Sequence, residues 1–284
     1  MKSILVATDF SLAAQNAFRY AVQMARPYRS KVVALYVYEP PVAGSYLEYG
    51  LSASLLKKQE TAVREKFLML ESLMADDLRL LSDVELRFEV GFAAEEILRV
   101  CEETQPDMLV MGADTGNVIA RRLFGSTCNQ VIQRVESPTL IVPEGAVYKG
   151  FSKIAYATDY EEDDIRVIDD VLYFAKKNHA KLACVHIRTQ ASARDAYKQE
   201  LLKRAYFYDL THDHITFTTL TNADVIEGLQ QYSAWQEMDL LVMLTHHRSR
   251  IGQLFHRSFS REMAIVTRIP LWVYPMKEPA QVQA

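Results

Sequence analysis

The 284-residue sequence has little cysteine: Cys101, Cys128 and Cys184 are far apart and odd in number. They form no Cys-x-x-Cys pair, so the sequence indicates neither a disulfide framework nor a zinc knuckle. A reducing, cytoplasmic compartment is therefore the expectation. Met1 leads at once into a short strand that Asp9 follows, without a small-residue cleavage site. We therefore expect no signal peptide.

Long apolar runs and a basic excess are also missing. No run approaches the roughly 20 apolar residues that a membrane helix needs. The formal net charge of −4 argues against non-specific binding to nucleic acid, which needs a positive surface. We expect neither membrane nor nucleic acid among the partners. The hydrophobic content of 49% and the charged content of 24% are typical of a globular protein.

Recognised catalytic motifs are missing as well. The sequence contains no G-x-S-x-G elbow, no Cys/His pair, no HExxH helix and no Gly-Lys-Ser/Thr P-loop. The histidine clusters are His212-x-His214 and His246-His247, and the first has no cysteine or carboxylate at a known ligand spacing. A metal site there is a minority interpretation, and we assign no catalytic or metal-binding residue.

The first half alternates short apolar runs with helical periodicity. The apolar runs that predict strands cover residues 4–7, 32–38, 84–90, 108–112 and 139–142. The helical patterns between them predict a doubly wound, mostly parallel α/β domain. In the third run apolar and charged residues alternate, which predicts a strand with one wet face at the edge of the sheet. A long helix is predicted over about 53–81, with Leu56, Val63, Phe67, Leu70 and Leu73 on one side.

The second half repeats this pattern. The apolar run and Thr-Asp at 154–159 lie 150 positions after those at 4–9, and both halves end on a Pro-flanked strand. Residues 143–152 have the composition of a linker. The sequence therefore predicts an internal duplication of a whole domain, with domain 1 at 1–145 and domain 2 at 152–276.

The stretch from Met108 to Gly112 predicts a buried strand followed by a glycine-containing turn and a helix that begins at Ser126. A strand that leads into a helix N-terminus is a geometry that binds phosphate, because backbone N–H groups and the helix dipole favour an anion there. The alternative is an ordinary connection between strand and helix with turn glycines.

These residues resemble the universal stress protein family, as a tandem two-domain member. The resemblance rests on Ala-Thr-Asp-Phe-Ser after the first strand, Asp-Met-Leu-Val-Met-Gly at 107–112, Gly125-Ser126, and Ser-Pro-Thr-Leu-Ile-Val at 137–142. It implies a five-stranded parallel sheet of order 3-2-1-4-5 in each half. It also implies that the two domains pair with each other as a pseudo-dimer, and it leaves further self-association open. In nucleotide-binding members, ATP or AMP lies at the carboxyl ends of strands one and four.

The family motif is Gly, two residues, Gly, nine residues, then Gly-Ser or Gly-Thr. Gly112 and Gly125 have the required spacing, and Ser126 follows in place. Thr115 stands at the middle glycine, and Gly116 comes one position late. Either Thr115 blocks the approach of the backbone to phosphate, or Gly116 takes the role after a local shift.

Asp114 adds a negative charge inside the same loop. A carboxylate beside phosphate lowers affinity unless a divalent cation, such as magnesium with ATP, or Arg121 or Arg122 screens it.

Other residues match family positions around the nucleotide. Asp9 matches the aspartate beside adenine and ribose, and Asp is also favoured at helix starts for local hydrogen bonding. Ala7 and Val37 match positions that flank adenine, and they would serve the core equally. Met111 and Thr127 match neighbours of the sugar and phosphates.

The second half departs further from the motif. Leu244 stands in place of Gly112, and His256-Arg257-Ser258 replaces Gly125-Ser126. Acidic residues fill 161–164, where they suit a helix N-terminus and would repel phosphate. We therefore predict that domain 2 binds no nucleotide and serves as the structural partner of domain 1. The basic cluster around His246 either holds some other anion or is a solvated loop.

Three functions follow from these features. The first is a stress-response binding module that holds ATP or AMP in its first domain. The second is an interaction protein that kept the fold and lost the site. The third is a slow ATPase that uses the nucleotide site itself.

Overall fold

The computed structural model describes residues 1–40, 53–74, 84–114, 126–190, 193–245 and 268–275. The chain divides into two compact units, Met1–Tyr148 and Lys149–Ala284. Thr115, Gly116, Gly125 and the basic cluster around His246 lie outside the described residues. Within the described ranges, no helix is both long and apolar enough to cross a membrane.

The first unit is a parallel sheet with helices between its strands. Its strands are β1 (Ser3–Ala7), β2 (Lys31–Tyr38), β3 (Val84–Val90), β4 (Met108–Ala113) and β5 (Thr139–Pro143). Its helices, in the described ranges, are α1 (Leu12–Ala25), α2 (Ala53–Leu73), α3 (Ala93–Thr104) and α4 (Ser126–Arg134). The strand order β3-β2-β1-β4-β5 and the parallel pairing confirm the predicted topology.

The alternating strand β3 lies at the edge of this sheet, beside β2. Its residues are partly exposed along the whole strand, whereas β4 is almost entirely buried. The edge position of β3 thus agrees with the prediction, whereas its burial does not alternate: every residue except Glu85 is of intermediate exposure.

Helix α1 follows β1 after a four-residue turn. Ser11 is its N-cap, and the Ser11 hydroxyl accepts a hydrogen bond from the N–H of Ala14 at 3.3 Å. The helix ends at Ala25, and a 3-10 turn over Arg26–Tyr28 follows, with Pro27 inside it. The buried stripe of α1 consists largely of alanine, so the helix can lie close to the sheet.

Helix α2 buries Val63, Phe67 and Leu70, and the Phe67 ring packs edge-on against Phe18 with centroids 5.8 Å apart. The prediction was wrong for Leu73, which is 73% exposed. At 3.6 residues per turn, Leu73 lies about 80° around the helix from the buried stripe, so it points away from the core.

The second unit repeats the first. Its strands are β6 (Lys153–Ala157), β7 (Lys181–Arg188), β8 (Ile215–Thr221), β9 (Leu240–Thr245) and β10 (Leu271–Pro275). Its helices, in the described ranges, are α5 (Glu162–Lys177), α6 (Ala193–Ala205), α7 (Phe207–Thr211) and α8 (Val225–Trp235). The order β8-β7-β6-β9-β10 is again 3-2-1-4-5, and the pairs are parallel.

The duplication extends to single hydrogen bonds. The carboxylate of Asp107, just before β4, accepts hydrogen bonds from the backbone N–H groups of Lys2 and Ser3, where β1 begins. Asp239, just before β9, accepts two hydrogen bonds from the corresponding backbone at the start of β6. In both units this aspartate fixes the register of the two central strands.

Candidate functional site

A cavity of about 520 Å³ lies in the first unit, where β1 and β4 end. The strand order reverses between these strands, because β1 continues to β2 on one side and β4 lies on the other. Open α/β sheets bind ligands at such points, where neighbouring loops leave in opposite directions. The residues that the sequence assigned to nucleotide binding and that line this cavity are Ala7, Asp9, Val37, Met111, Gly112 and Thr127.

Four of the assigned residues are not placed in this lining. Thr115, Gly116 and Gly125 lie outside the described residues. Ser126 is described as the first residue of α4. The prediction that a helix begins at Ser126 agrees with the structure, and this helix start is what brings Thr127 to the cavity.

Asp9 lies on the β1 side of the cavity. Its Oδ1 accepts a hydrogen bond from the N–H of Ser11 at 2.9 Å, and the Thr8 hydroxyl accepts one from the N–H of Phe10 at 3.1 Å. These bonds hold the turn into α1, so Asp9 has the local role expected of Asp at a helix start. Partial burial raises the pKa of the Tyr36 hydroxyl, and the negative charge of Asp9 raises it further.

Gly112 lies on the β4 side, and its missing side chain has a packing reason. A Cβ atom built on Gly112 would lie 2.7 Å from the backbone N of Ala14 and still closer to the carbonyl oxygen of Ala13. These atoms belong to the backbone of the first turn of α1, so no side-chain rotation could relieve the clash. Gly112 is therefore required for the close approach of α1 to β4, whatever the cavity binds.

The first turn of α4 forms another wall. Thr127 and Cys128 line the cavity, and the first N–H groups of a helix point outward without intrahelical acceptors. This end of a helix carries a partial positive charge that favours an anion. Burial raises the pKa of the Cys128 thiol to about 12, so the thiol is neutral and forms a small apolar wall.

The first turns of α1 and α3 also reach the cavity, and in both of them a side chain of the protein accepts a hydrogen bond from a backbone N–H group. Ser11 accepts from the N–H of Ala14 in α1, and Glu39 Oε1 accepts from the N–H of Ala93 at 2.6 Å in α3. In these two helices, some of the N–H groups that could bind an anion thus already have an acceptor within the protein.

The charges that line the cavity are negative. Asp114 follows β4 directly, is exposed, and lines the cavity together with Asp9. Among the described residues of the lining, none is lysine or arginine. Within the described lining, the N-terminus of α4 is therefore a feature that favours an anionic ligand.

Sequence reasoning missed several lining residues, namely Thr8, Ser11, Ala13, Ala14, Leu35, Ala93, Ile97, Ala113 and Cys128. A usable signal was present: α1 and α3 both begin just after a strand, so their first turns lie at the carboxyl edge of the sheet. Ala93 and Ile97 are also four residues apart, which places them on one helix face.

In the second unit larger side chains fill the equivalent positions. Leu244, at the position of Gly112, is 2% exposed, and Ile187, at the position of Val37, is 3% exposed. Ile187 lies directly against Gly228, where a Cβ atom would come within 2.9 Å of Ile187 Cγ2. Apolar side chains are thus buried at both of these positions in the second unit.

Asp164, at the position of Ala14, is a third buried side chain, with 3% of its surface exposed. Its carboxylate accepts hydrogen bonds from Tyr156 Oη at 2.5 Å, Thr158 Oγ1 at 2.6 Å, and the N–H groups of Glu161 at 3.0 Å and Asp159 at 3.2 Å. Burial raises the pKa of Tyr156 well above its ordinary value, and the charge of Asp164 raises it further. Four donors satisfy this buried carboxylate, which makes it part of the core.

The histidine pair of the second unit is engaged with its own surroundings. His212 stacks on Tyr208 with ring centroids 4.1 Å apart, and His214 Nδ1 lies 3.2 Å from Asp209 Oδ1. Over the described part of the chain, no group of three or more His, Cys, Asp or Glu residues is arranged to hold a metal ion.

Comparison with known proteins identifies the family. The model of the universal stress protein family matches residues 1–143 and again 150–275. A curated relative, Universal stress protein MJ0531 of Methanocaldococcus jannaschii, is 29% identical over 146 residues, which are 50% of this chain and 81% of the relative.

Two solved structures share the fold over nearly the whole chain. A universal stress protein from Archaeoglobus fulgidus has a TM-score of 0.76 at 13% identity, covering 97% of both chains. The functionally unknown protein PA1789 from Pseudomonas aeruginosa has a TM-score of 0.63 at 12% identity, covering 97% of this chain and 92% of its own. With two family matches that together span most of its length, the chain belongs to the universal stress protein family.

Proposed function

We propose that the first unit binds an adenine nucleotide, ATP or AMP, in the cavity where β1 and β4 end. The observation that carries the proposal is that six of the ten residues assigned from the sequence line this one cavity. Its volume of about 520 Å³ lies within the roughly 300–1,000 Å³ of small-molecule sites. The protein is then a stress-response binding module of the cytoplasm.

Each lining residue has a part in this proposal. Ala7 and Val37 flank the adenine, because both are small and apolar and line the cavity from the neighbouring strands β1 and β2. Asp9 accepts a hydrogen bond from the ribose with the carboxylate oxygen that Ser11 does not use. The phosphates lie at the first turn of α4, next to Thr127, where the helix dipole favours negative charge.

The second unit, in the same proposal, binds no nucleotide. Ile187, Leu244 and Asp164 are all buried at the positions that would surround the ligand. It serves instead as the structural partner of the first unit, and the two form a pseudo-dimer within one chain, as two separate family domains would. Each chain then holds one nucleotide, with magnesium where that nucleotide is ATP.

A nucleotide-independent interaction protein is the second candidate, and one observation favours it. Because Gly112 is needed for packing against Ala13 and Ala14, its presence is no evidence for phosphate binding. The two candidates differ in whether the cavity of the first unit takes a nucleotide in solution.

The substitution Thr127→Asp tests the proposal. Asp in the first turn of a helix suits the dipole, so the fold is preserved. The new carboxylate repels phosphate by about 3 kcal/mol at an effective dielectric of 20 and a distance of about 5 Å. We expect isothermal titration calorimetry to show an affinity for ATP and AMP about 100-fold lower than that of the wild type.

Thr127→Asn is the matched control, because it has the shape of Asp without the charge. It should bind within a few-fold of the wild type. Small molecules released from the denatured wild-type protein, separated by chromatography, identify what the protein carries from the cell. The proposal fails if the wild type binds neither nucleotide with or without magnesium, or if Thr127→Asp binds as well as Thr127→Asn.

A further inference from the structure

The turn between β1 and α1 contains a residue with an unusual backbone conformation. Phe10 has a φ of 60°, in the left-handed region that bulky side chains rarely adopt. Such residues persist only where the surrounding structure holds them, and they cluster at functional sites. We propose that Phe10 is a positioning residue of the nucleotide site, which acts through Asp9 and so sets how well the site recognises the ribose hydroxyls. This inference rests on the function proposed above.

Hydrogen bonds fix the backbone of Phe10 on both sides. The Thr8 hydroxyl accepts from its N–H at 3.1 Å, and the Gln15 side chain donates to its carbonyl oxygen at 2.8 Å. The bond of 2.9 Å from the N–H of Ser11 to Asp9 Oδ1 spans Phe10. The conformation of Phe10 therefore determines where this N–H lies relative to Asp9, and with it the direction of the carboxylate.

The side chain of Phe10 ties the same turn to the sheet. Its ring lies 5.5 Å from the ring of Tyr36 on β2, at an angle of 31°. Tyr36 stacks in turn on Phe88 of β3, with centroids 6.1 Å apart. Lys66 of α2 places its Nζ 6.0 Å from the centroid of the Phe10 ring, within the range of a cation–π contact. Phe10 itself does not line the cavity, so its effect on a ligand passes through Asp9, which does.

The second unit contains the same turn in a different setting. Tyr160, at the position of Phe10, has a φ of 58°. The next N–H, of Glu161, donates to the buried carboxylate of Asp164 at 3.0 Å, and Asp159 Oδ1 lies 3.6 Å from His186 Nδ1. The left-handed aromatic residue is thus common to both units. In the first unit the turn that it forms holds an aspartate at a cavity, whereas in the second unit the equivalent aspartate faces a buried histidine.

A fixed carboxylate is a better acceptor for a ribose hydroxyl than a mobile one. The Asp9 side chain is exposed, so without the turn it would have to be ordered when the ligand binds. Ordering a side chain on binding lowers affinity, and an acceptor that is already in place avoids this cost. Loosening the turn should therefore weaken the ribose contact and leave the adenine and phosphate contacts in place.

Affinities for ATP and for dideoxy-ATP, which lacks both ribose hydroxyls, test this assignment. Both are titrated in one magnesium buffer. We expect the wild type to prefer ATP by about tenfold, the contribution of a hydrogen bond to a charged acceptor. In Phe10→Gly this preference should fall close to one, while the affinity for dideoxy-ATP stays near that of the wild type. Glycine adopts the left-handed conformation freely, so the variant removes the ring without straining the backbone.

Phe10→Tyr is the matched control, because it keeps the ring that Tyr160 has in the second unit. It should keep the wild-type preference. Asp9→Ala should abolish the preference by itself, and adding Phe10→Gly to it should change the preference no further, since the two residues act as one unit. Thermal melting checks the fold, and Phe10→Leu takes the place of Phe10→Gly if that variant melts well below the wild type.

The ratio of the two affinities separates positioning from a general role in the fold. If the glycine or leucine variant keeps the full preference, or loses affinity for both compounds equally, the inference is overturned while nucleotide binding stands. Equal binding of both compounds by the wild type would overturn it in the same way. If the wild type binds neither ATP nor AMP, the proposed function is overturned with it.

Discussion

Gly112 belongs to the family's phosphate-binding motif, but it is also required for the packing of α1 against β4. Its α-carbon faces the backbone of Ala13 and Ala14, with no room for a methyl group. We expect Gly112→Ala to lower the free energy of unfolding by about 1–3 kcal/mol, because overpacking against fixed backbone forces the strand and helix apart. Urea unfolding followed by circular dichroism measures the change.

Gly145 provides the comparison for this prediction. A Cβ atom on Gly145 meets nothing within 4 Å, so Gly145→Ala should change stability by less than about 0.5 kcal/mol. Equal stability of the two variants would show that α1 does not need the close approach to β4. Loss of nucleotide binding in Gly112→Ala would therefore not identify a phosphate contact, because disturbed packing of α1 would also abolish binding.

Single residues differ in how far the sequence reveals them. The resemblance to the family assigned Asp9, Gly112 and Thr127 to one site, and all three line the same cavity. The packing role of Gly112 was not predictable, because it depends on how closely a helix more than 90 residues earlier approaches. Asp164 was expected only as one of the acids at a helix start, and its burial in the core was not predicted.

The acids in the first turn of α5 have different environments: one is buried in the core and its neighbour is exposed to solvent. Asp164 is buried with four donors, whereas Asp163 beside it is exposed. Asp164→Ala should lower the free energy of unfolding by about 3 kcal/mol or more, since several buried donors lose their acceptor at once. Tyr156→Phe removes one of these bonds and should cost about 1 kcal/mol.

Asp163→Ala is the control for the helix dipole, because it removes an acid from the same turn without touching the core. Its effect should stay near 0.5 kcal/mol. Chemical unfolding of the three variants and the wild type at pH 7 gives the comparison. If Asp164→Ala costs no more than Asp163→Ala, the buried network contributes nothing to holding α5 on the sheet.

Elements were more predictable than their orientation. In the first unit, apolar runs place each strand within one residue of its observed bounds, because these patterns follow from which faces are buried. The edge position of β3 was predictable for the same reason. Leu73 was assigned to the wrong side of α2. It follows Leu70 by only three residues, but at 3.6 residues per turn it lies outside the buried stripe of the helix.

At the scale of the whole molecule, the same fold occurs twice, with different residues at the ends of the central strands. In the first unit Ala14, Val37 and Gly112 line a cavity where the central strands end. In the second unit Asp164, Ile187 and Leu244 stand at these positions and are buried. The duplication therefore kept the sheet and its strand order, and these three positions are among those that differ between the two units.

The number of nucleotides bound per chain tests the account most directly. Isothermal titration of the magnesium complex of ATP into the full-length wild-type protein, at known active concentration, gives this number. We predict a stoichiometry of one, which Thr127→Asp abolishes over the same concentration range. A stoichiometry of two would contradict the filled cleft of the second unit, and a stoichiometry of zero would contradict the nucleotide site of the first.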